Sequence, residues 1–223
     1  MQRALRIAVV AFFICVSTFA ASKASRDFWH ELMLGNAEFV KGHLVYAHLK
    51  EQRDDHREHQ YPPVTVLSCA DSRVPPELIF DHSIGDLFVV RVAGNVTDQY
   101  PLASVEYAVM KGYTKLIVVM GHEDCGAVDA AINGGLPPTR KNINLNALIK
   151  RIKDNIGDQK DPKAATELNA QMSAKYLTDH SRIIRDAVCS NKTRLQIKPA
   201  YYDFDGKVTE LDPLPGTPSY PCR

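Results

Sequence analysis

The 223-residue sequence has no surplus of either charge: 27 Lys and Arg stand against 26 Asp and Glu, a formal net charge of +1. A nucleic-acid-binding surface needs basic excess to meet phosphates, so that class of partner is excluded. No Cys-x-x-Cys pair occurs, which removes the usual spacing of a structural zinc site and of a thiol oxidoreductase. No internal repeat is visible. The only long uninterrupted apolar and small-residue run is Ile7 to Ala21, behind Arg3 and Arg6. It is short for the roughly 20 apolar residues of a spanning helix. Small residues suited to signal peptidase follow, with cleavage expected after Ala20 or Ala21. Residues 1–21 are therefore expected to be a signal peptide, the protein periplasmic or secreted, and the mature chain without stable membrane insertion. The alternative is an uncleaved anchor. Cys15 follows Phe12-Phe13-Ile14, which lacks the small residues of a lipid-attachment site. Loss of Arg3 and Arg6 leaves 25 basic against 26 acidic residues, a formal charge of −1.

What remains has the composition of a soluble globular domain, 45% hydrophobic and 24% charged, and a length suited to one domain. That domain is expected over residues 25–212, with an irregular tail over 213–223. From Ser25, the expected N-cap, Phe28, Leu32, Phe39 and Val40 recur at helical spacing. The apolar face of this arm must cover this subunit's sheet or a partner's. His48 to Gln60 carries His48, His56 and His59 among dense charge, and without a periodic apolar face it reads as a solvated helix or loop.

Strands are expected at Val64–Ser68, Leu87–Val92, Lys115–Met120 and Arg194–Lys198, and Tyr201–Val208 should turn at Asp205-Gly206 into an antiparallel edge hairpin. Helical patterns cover Leu78–Phe80 behind Pro75 and Pro76, Pro101–Gly112, Ala127–Ile132, Asn144–Ile156 and a long region Pro162–Cys189. The alternation predicts an α/β fold: a mainly parallel β-sheet, about four parallel strands plus an antiparallel edge strand, flanked by helices.

Two stretches stand at carboxyl ends of these buried strands, where open α/β sheets place their chemistry. They are Ser68-Cys69-Ala70-Asp71-Ser72-Arg73-Val74 and, about fifty residues on, Gly121-His122-Glu123-Asp124-Cys125-Gly126. Cys69, His122 and Cys125 offer two thiolates and an imidazole, a set that suits Zn²⁺ better than Mg²⁺ or Ca²⁺. Three protein ligands leave one position open, as catalytic zinc does. Two thiolates already neutralise the metal, so its water needs help. Asp71 can either become a fourth ligand, giving a closed state, or pair with Arg73 and accept a hydrogen bond from the metal hydroxide. The reaction class is metal-hydroxide attack on a small carbonyl compound. Cys189 and Cys222 are left over: they form a disulfide, or Cys189 is a buried helix thiol and Cys222 a loose terminal one.

Cys69-Ala70-Asp71-Ser72-Arg73-Val74, Arg91-Val92-Ala93-Gly94-Asn95 and Gly121-His122-Glu123-Asp124-Cys125-Gly126-Ala127 resemble the signature blocks of the β-carbonic anhydrases. The resemblance runs from about Phe28 to Leu211 and includes Gly35-Asn36 with Phe39 and Tyr202-Asp203 with Gly206-Lys207-Val208. Ala70 and Val92 depart from the residues common in that family, Ser and Asn. The resemblance implies one zinc per chain on Cys69, His122 and Cys125, and Asp71 with Arg73 as catalytic dyad. It also implies reversible hydration of carbon dioxide to bicarbonate and a proton, in a homodimer or dimer of dimers. Rival readings are hydrolysis of carbonyl sulfide or carbon disulfide on the same site, and a catalytically silent zinc-binding assembly protein. Arg91 reads as an ion-paired strand end, Gly94 as a tight turn, and Asn95, in an Asn-Val-Thr sequon, as a poor glycosylation site. His82 and His180 read as surface residues, and Phe88 and Tyr107 as core packing or the lining of an apolar pocket.

Overall fold

The computed structural model describes residues 27–44, 49–135, 137, 139, 141–219 and 222. The expected signal peptide, the Ser25 cap and His48 lie outside them. Five strands form one sheet: β1 (Val64–Ser68), β2 (Leu87–Arg91), β3 (Leu116–His122), β4 (Gln196–Tyr202) and β5 (Val208–Glu210). Their order is β2-β1-β3-β4-β5. The first four are parallel and β5 is antiparallel to β4, the mixed sheet that the alternation of patterns predicts.

β1 and β3 are buried at every position, as aliphatic strands covered on both faces must be. On one face Val64, Val66, Val118 and Met120 pack with Leu32 of α1 (Phe28–Val40) and Ile79 of α3 (Pro76–Ile79). On the other, Leu67, Ile117 and Val119 meet Val105 of α4 (Gln99–Met110), Leu177 of α7 (Pro162–His180) and Ile184 of α8 (Arg182–Cys189). α5 (Gly126–Ile132) and α6 (Ile143–Ile156) build a third cluster that includes Cys69 and Cys125. The charged α2 (Leu49–Asp55) buries no residue. Among the described residues no helix is long and apolar enough to cross a membrane.

Three departures from the sequence reading have local causes. α1 starts at Asp27, whose carboxylate accepts from the His30 amide at 3.2 Å. The long helical region from Pro162 is two helices, because Ser181 turns extended (φ −125, ψ 113) and its hydroxyl caps α8 by accepting from Ile184 N. Ser181 also donates to Glu106 of α4 at 2.6 Å, a tertiary bond that favours the break over a continuous helix. Strand β4 runs unbroken through Pro199, a poor residue for a strand interior. Pairing with β5 starts only at Ala200, and Pro199 contributes its carbonyl to Leu211 N at 2.9 Å. Cys189 and Cys222 form a disulfide with Cα atoms 5.1 Å apart, tying the end of α8 to the tail.

The N-terminal helix is clasped onto the domain by buried Asn36. Its Nδ2 donates to Ile79 O (3.0 Å) and Gly206 O (2.7 Å), and its Oδ1 accepts from Val208 N (3.0 Å). Gly35 makes the approach possible, since a Cβ there would lie 1.8 Å from Phe80 O. Gly35→Ala should therefore lower stability in urea by about 1–3 kcal/mol through forced displacement of α1. Wild-type stability of that variant would show that α1 does not need the close contact.

Candidate metal centre

The register of β1 and β3 brings the two candidate stretches together: Ser68 pairs with Met120, so Cys69 leaves β1 beside the last residues of β3. His122 is the final residue of β3, and Cys125 is the N-cap of α5. Asp124, in the left-handed region (φ 51), folds the chain between them. The donor atoms of Cys69, His122 and Cys125 all lie within 4.8 Å of one another, and all three residues are buried. These three could hold a metal ion.

The imidazole is set up for it. His122 Nδ1 lies 2.7 Å from Glu123 O. A carbonyl only accepts, so Nδ1 carries the proton and Nε2 presents a lone pair. That Nε2 is buried and has no hydrogen-bond partner among the described residues. The sulfur of Cys69 accepts from Gly94 N at 3.2 Å and Asp71 N at 3.4 Å. A hydrogen bond from Cys125, opposed by burial and aided by the neighbouring imidazole of His122 and then by those two amides, holds the Cys69 thiol down at about 4. Cys125 is pushed up, first by donating to Cys69 and then by burial, so the pair keeps one proton while sulfur is ready to ionise.

Asp71 does not join the converging donors. Its carboxylate meets Arg73 twice, Nε to Oδ1 at 3.0 Å and Nη2 to Oδ2 at 2.8 Å, and Oδ1 also accepts the Arg73 amide at 2.9 Å. The guanidinium is gripped in turn by Asp124 Oδ2 and O, each at 3.2 Å, and lies 4.3 Å from the centre of the Phe204 ring. The Arg73 side-chain bond holds the Asp71 carboxyl well below the usual carboxylate range. Arg91 is no surface ion pair: it donates through Nε to Cys69 O at 2.9 Å and through Nη2 to Asp71 O, pinning the loop between them.

Sequence reasoning singled out Cys69, Asp71, Arg73, His122 and Cys125, and the fold brings all five to one end of the sheet. It missed Asp124 and Phe204 as supports of Arg73, since nothing in their local pattern signals it, and gave Gly94 only its turn. Gly94 does make that turn (φ 67, ψ 22) and donates to sulfur as well. Asn95 is fully buried, which agrees with a poor glycosylation site. Phe88 packs against the second core cluster, with Tyr107 6.3 Å away. His180 stacks on Tyr176 at 3.6 Å, and His82 Nδ1 is 2.6 Å from Phe80 O. Beside Cys125 a cleft of about 400 Å³ is lined by Glu123, Asp129, Lys163 and Tyr201. Burial, and then Glu123, pushes the Tyr201 hydroxyl up to about 12, so it remains protonated.

Residues 64–208 match the sequence model described as carbonic anhydrase. The chain belongs to the carbonic anhydrase family. Carbonic anhydrase 2 of Mycobacterium tuberculosis is 47% identical over 117 residues, 49% of this chain and 55% of that one. The carbonic anhydrase of Helicobacter pylori strain J99 is 36% identical over 105 residues, 44% of this chain and 47% of that one. The chain thus spans about half the length of the curated relatives it matches. Among solved structures, a tetrameric β-carbonic anhydrase of Sordaria macrospora superposes with a TM-score of 0.59 at 26% identity, covering 83% of this chain and 98% of that one. The Coccomyxa β-carbonic anhydrase solved with acetazolamide gives 0.60 at 26% identity, over 73% and 77%. The matched span 64–208 includes all five site residues.

The depressed Asp71 pKa fixes a pH window. A carboxyl lowered by folding adds stability above its unfolded pKa, and that stability is lost as pH falls toward the folded value. The pair is partly solvent-exposed, so the effect is small. In metal-free protein the stability difference between wild type and Asp71→Asn should stay constant from neutral pH to about 5 and shrink below about 4. A difference that fades between pH 8 and 6, measured in urea, would mean that another group sets it.

Proposed function

We propose that the protein is a zinc-dependent carbonic anhydrase, a lyase that hydrates carbon dioxide reversibly to bicarbonate and a proton. The observation that carries this reading is the buried, partnerless Nε2 of His122 between two buried sulfurs, next to the paired Asp71 carboxylate. Two soft thiolates and one imidazole fit zinc, and a proton on Nδ1 held by a backbone carbonyl is the usual way such an imidazole is oriented. Cys69, His122 and Cys125 would hold one zinc per chain. When bound, zinc supplies Lewis acidity, which makes water a nucleophile at neutral pH.

The rest of the work falls to the chain. A carboxylate has about four acceptor positions, and Arg73 takes both on Oδ1 and one on Oδ2. The remaining position on Oδ2 can accept from the attacking water and turn its lone pair toward the carbon of the substrate. So weakened an acceptor orients the nucleophile and does not keep its proton, which must pass to solvent or buffer. Arg73 fixes the carboxylate, Asp124 and Phe204 fix Arg73, and Arg91 fixes the loop beneath both.

The proposed assembly is a homodimer or a dimer of dimers. β2 is an edge strand with half-buried Leu87, Phe88 and Val89, and α4 exposes Tyr100 and Met110, an apolar margin that association would cover. Sedimentation velocity should give two or four times the chain mass, and a monomer at micromolar concentration would end that proposal.

Stopped-flow hydration of carbon dioxide, with bound zinc measured on the same sample, tests the function. Turnover on one zinc per chain is expected, and Asp71→Asn should keep the zinc but lower kcat about 10²-fold, the scale of a lost orienting contact on a reacting group. Zinc without turnover would overturn the proposal, and unchanged turnover in the variant would remove Asp71 from the mechanism.

A further inference from the structure

A buried polar chain leads from α6 and α7 to the sulfur of Cys69. Asn155 of α6 donates through Nδ2 to Asn169 Oδ1 of α7 at 2.8 Å. Asn169 donates through Nδ2 to Gly94 O at 2.7 Å. Gly94 donates its amide to Cys69 Sγ at 3.2 Å. Asn169 is fully buried and Asn155 nearly so. Two side-chain amides and the two peptide groups of Gly94 linked through such an interior are an expensive arrangement unless each has its partner.

Gly94 is where the alignment matters. Its left-handed backbone is rarely open to other residues, and a Cβ would lie 2.6 Å from Ile152 Cδ1. Glycine is therefore favoured, yet glycine is the residue whose own backbone preferences least fix the direction of its N–H. Asn169 Nδ2 holds the Gly94 carbonyl from outside; because a carbonyl only accepts, that bond fixes the flip of the Asn169 amide, and Asn155 holds it there by donating to the Asn169 oxygen. Arg151 of α6 adds a second tie to the same loop, through Nε to Thr97 O at 3.2 Å.

The geometry points to Asn169 as a positioning residue that, oriented by Asn155, aims the Gly94 amide at the metal-binding sulfur of Cys69. The consequence is electronic. An N–H bond onto a thiolate withdraws charge from sulfur, so the sulfur gives less to the metal and leaves it a stronger Lewis acid. In a site where two thiolates offset a divalent cation, such withdrawal supports the acidity that hydration needs. The inference rests on Cys69 being a metal ligand.

Cobalt substitution reads this directly, because the sulfur-to-cobalt charge-transfer absorption moves to longer wavelength when a thiolate loses a hydrogen bond. Asn169→Leu keeps approximate shape and removes the donor. Its cobalt band should shift to longer wavelength, and kcat of its zinc form at neutral pH should fall about tenfold, at the lower end of the effect of groups that support metal ligands. Ser173→Ala is the control. Ser173 lies on the same helix and receives the other Asn155 contact at 3.4 Å, and its loss should leave the band in place. If Asn169→Leu does not fold, Asn155→Ala should show a smaller shift in the same direction. A native band in folded Asn169→Leu, a native band in folded Asn155→Ala, or an equal shift in Ser173→Ala would each overturn the relay. Wild-type protein that takes up cobalt without a thiolate band would instead refute Cys69 as a ligand, a separate outcome.

Discussion

The site depends on one constraint, the parallel pairing of β1 with β3 in a single register. With Ser68 opposite Met120, the residues that follow each strand emerge side by side, and three donors more than fifty positions apart at their extremes converge without any local zinc motif. Both strands are buried on both faces, so a slip of one residue would turn hydrophobic side chains to the wrong layer. Core packing thereby fixes the position of Cys69 relative to His122. The site needs no separate scaffold.

Around that fixed point the backbone is held in unusual conformations. Gly94, Asn95 and Asp124 all have positive φ, and each sits in a loop that carries or touches a metal donor. Such strain persists where surroundings over-determine it. Here the surroundings are specific: Asn169 on Gly94 O, Arg91 on the Cys69 and Asp71 carbonyls, and Arg73 on Asp124. Three polar side chains, on α7, on β2 and on the loop after β1, hold these loops in place.

Most of the sheet and the five site residues were legible in the sequence, because buried parallel strands announce themselves as aliphatic runs and the chemistry follows at their ends. What was hidden is long-range. Arg91 looked like an ion-paired strand end, yet it works on carbonyls of the neighbouring loop. Ser181 looked like one more helical residue until Glu106, 75 positions away, is seen to receive its hydroxyl. Phe204 lies in an edge hairpin and reaches the site through the Arg73 cation above it and the His122 ring 6.0 Å away. Local pattern carries period and propensity, whereas these roles are set by neighbours that no window of sequence contains.

The Asn36 clasp also bears on the order in which the chain can assemble. Two of its three partners, Gly206 and Val208, lie 170 and 172 residues downstream. During synthesis the first helix therefore has no finished place to dock until nearly the whole domain has emerged. Its apolar face can meet Ile79 and Phe80 earlier, but two of the three bonds of the clasp wait for the end of the domain. The first helix of the domain is made well before two of the partners of Asn36, and the clasp joins it to the hairpin that carries Phe204 over Arg73.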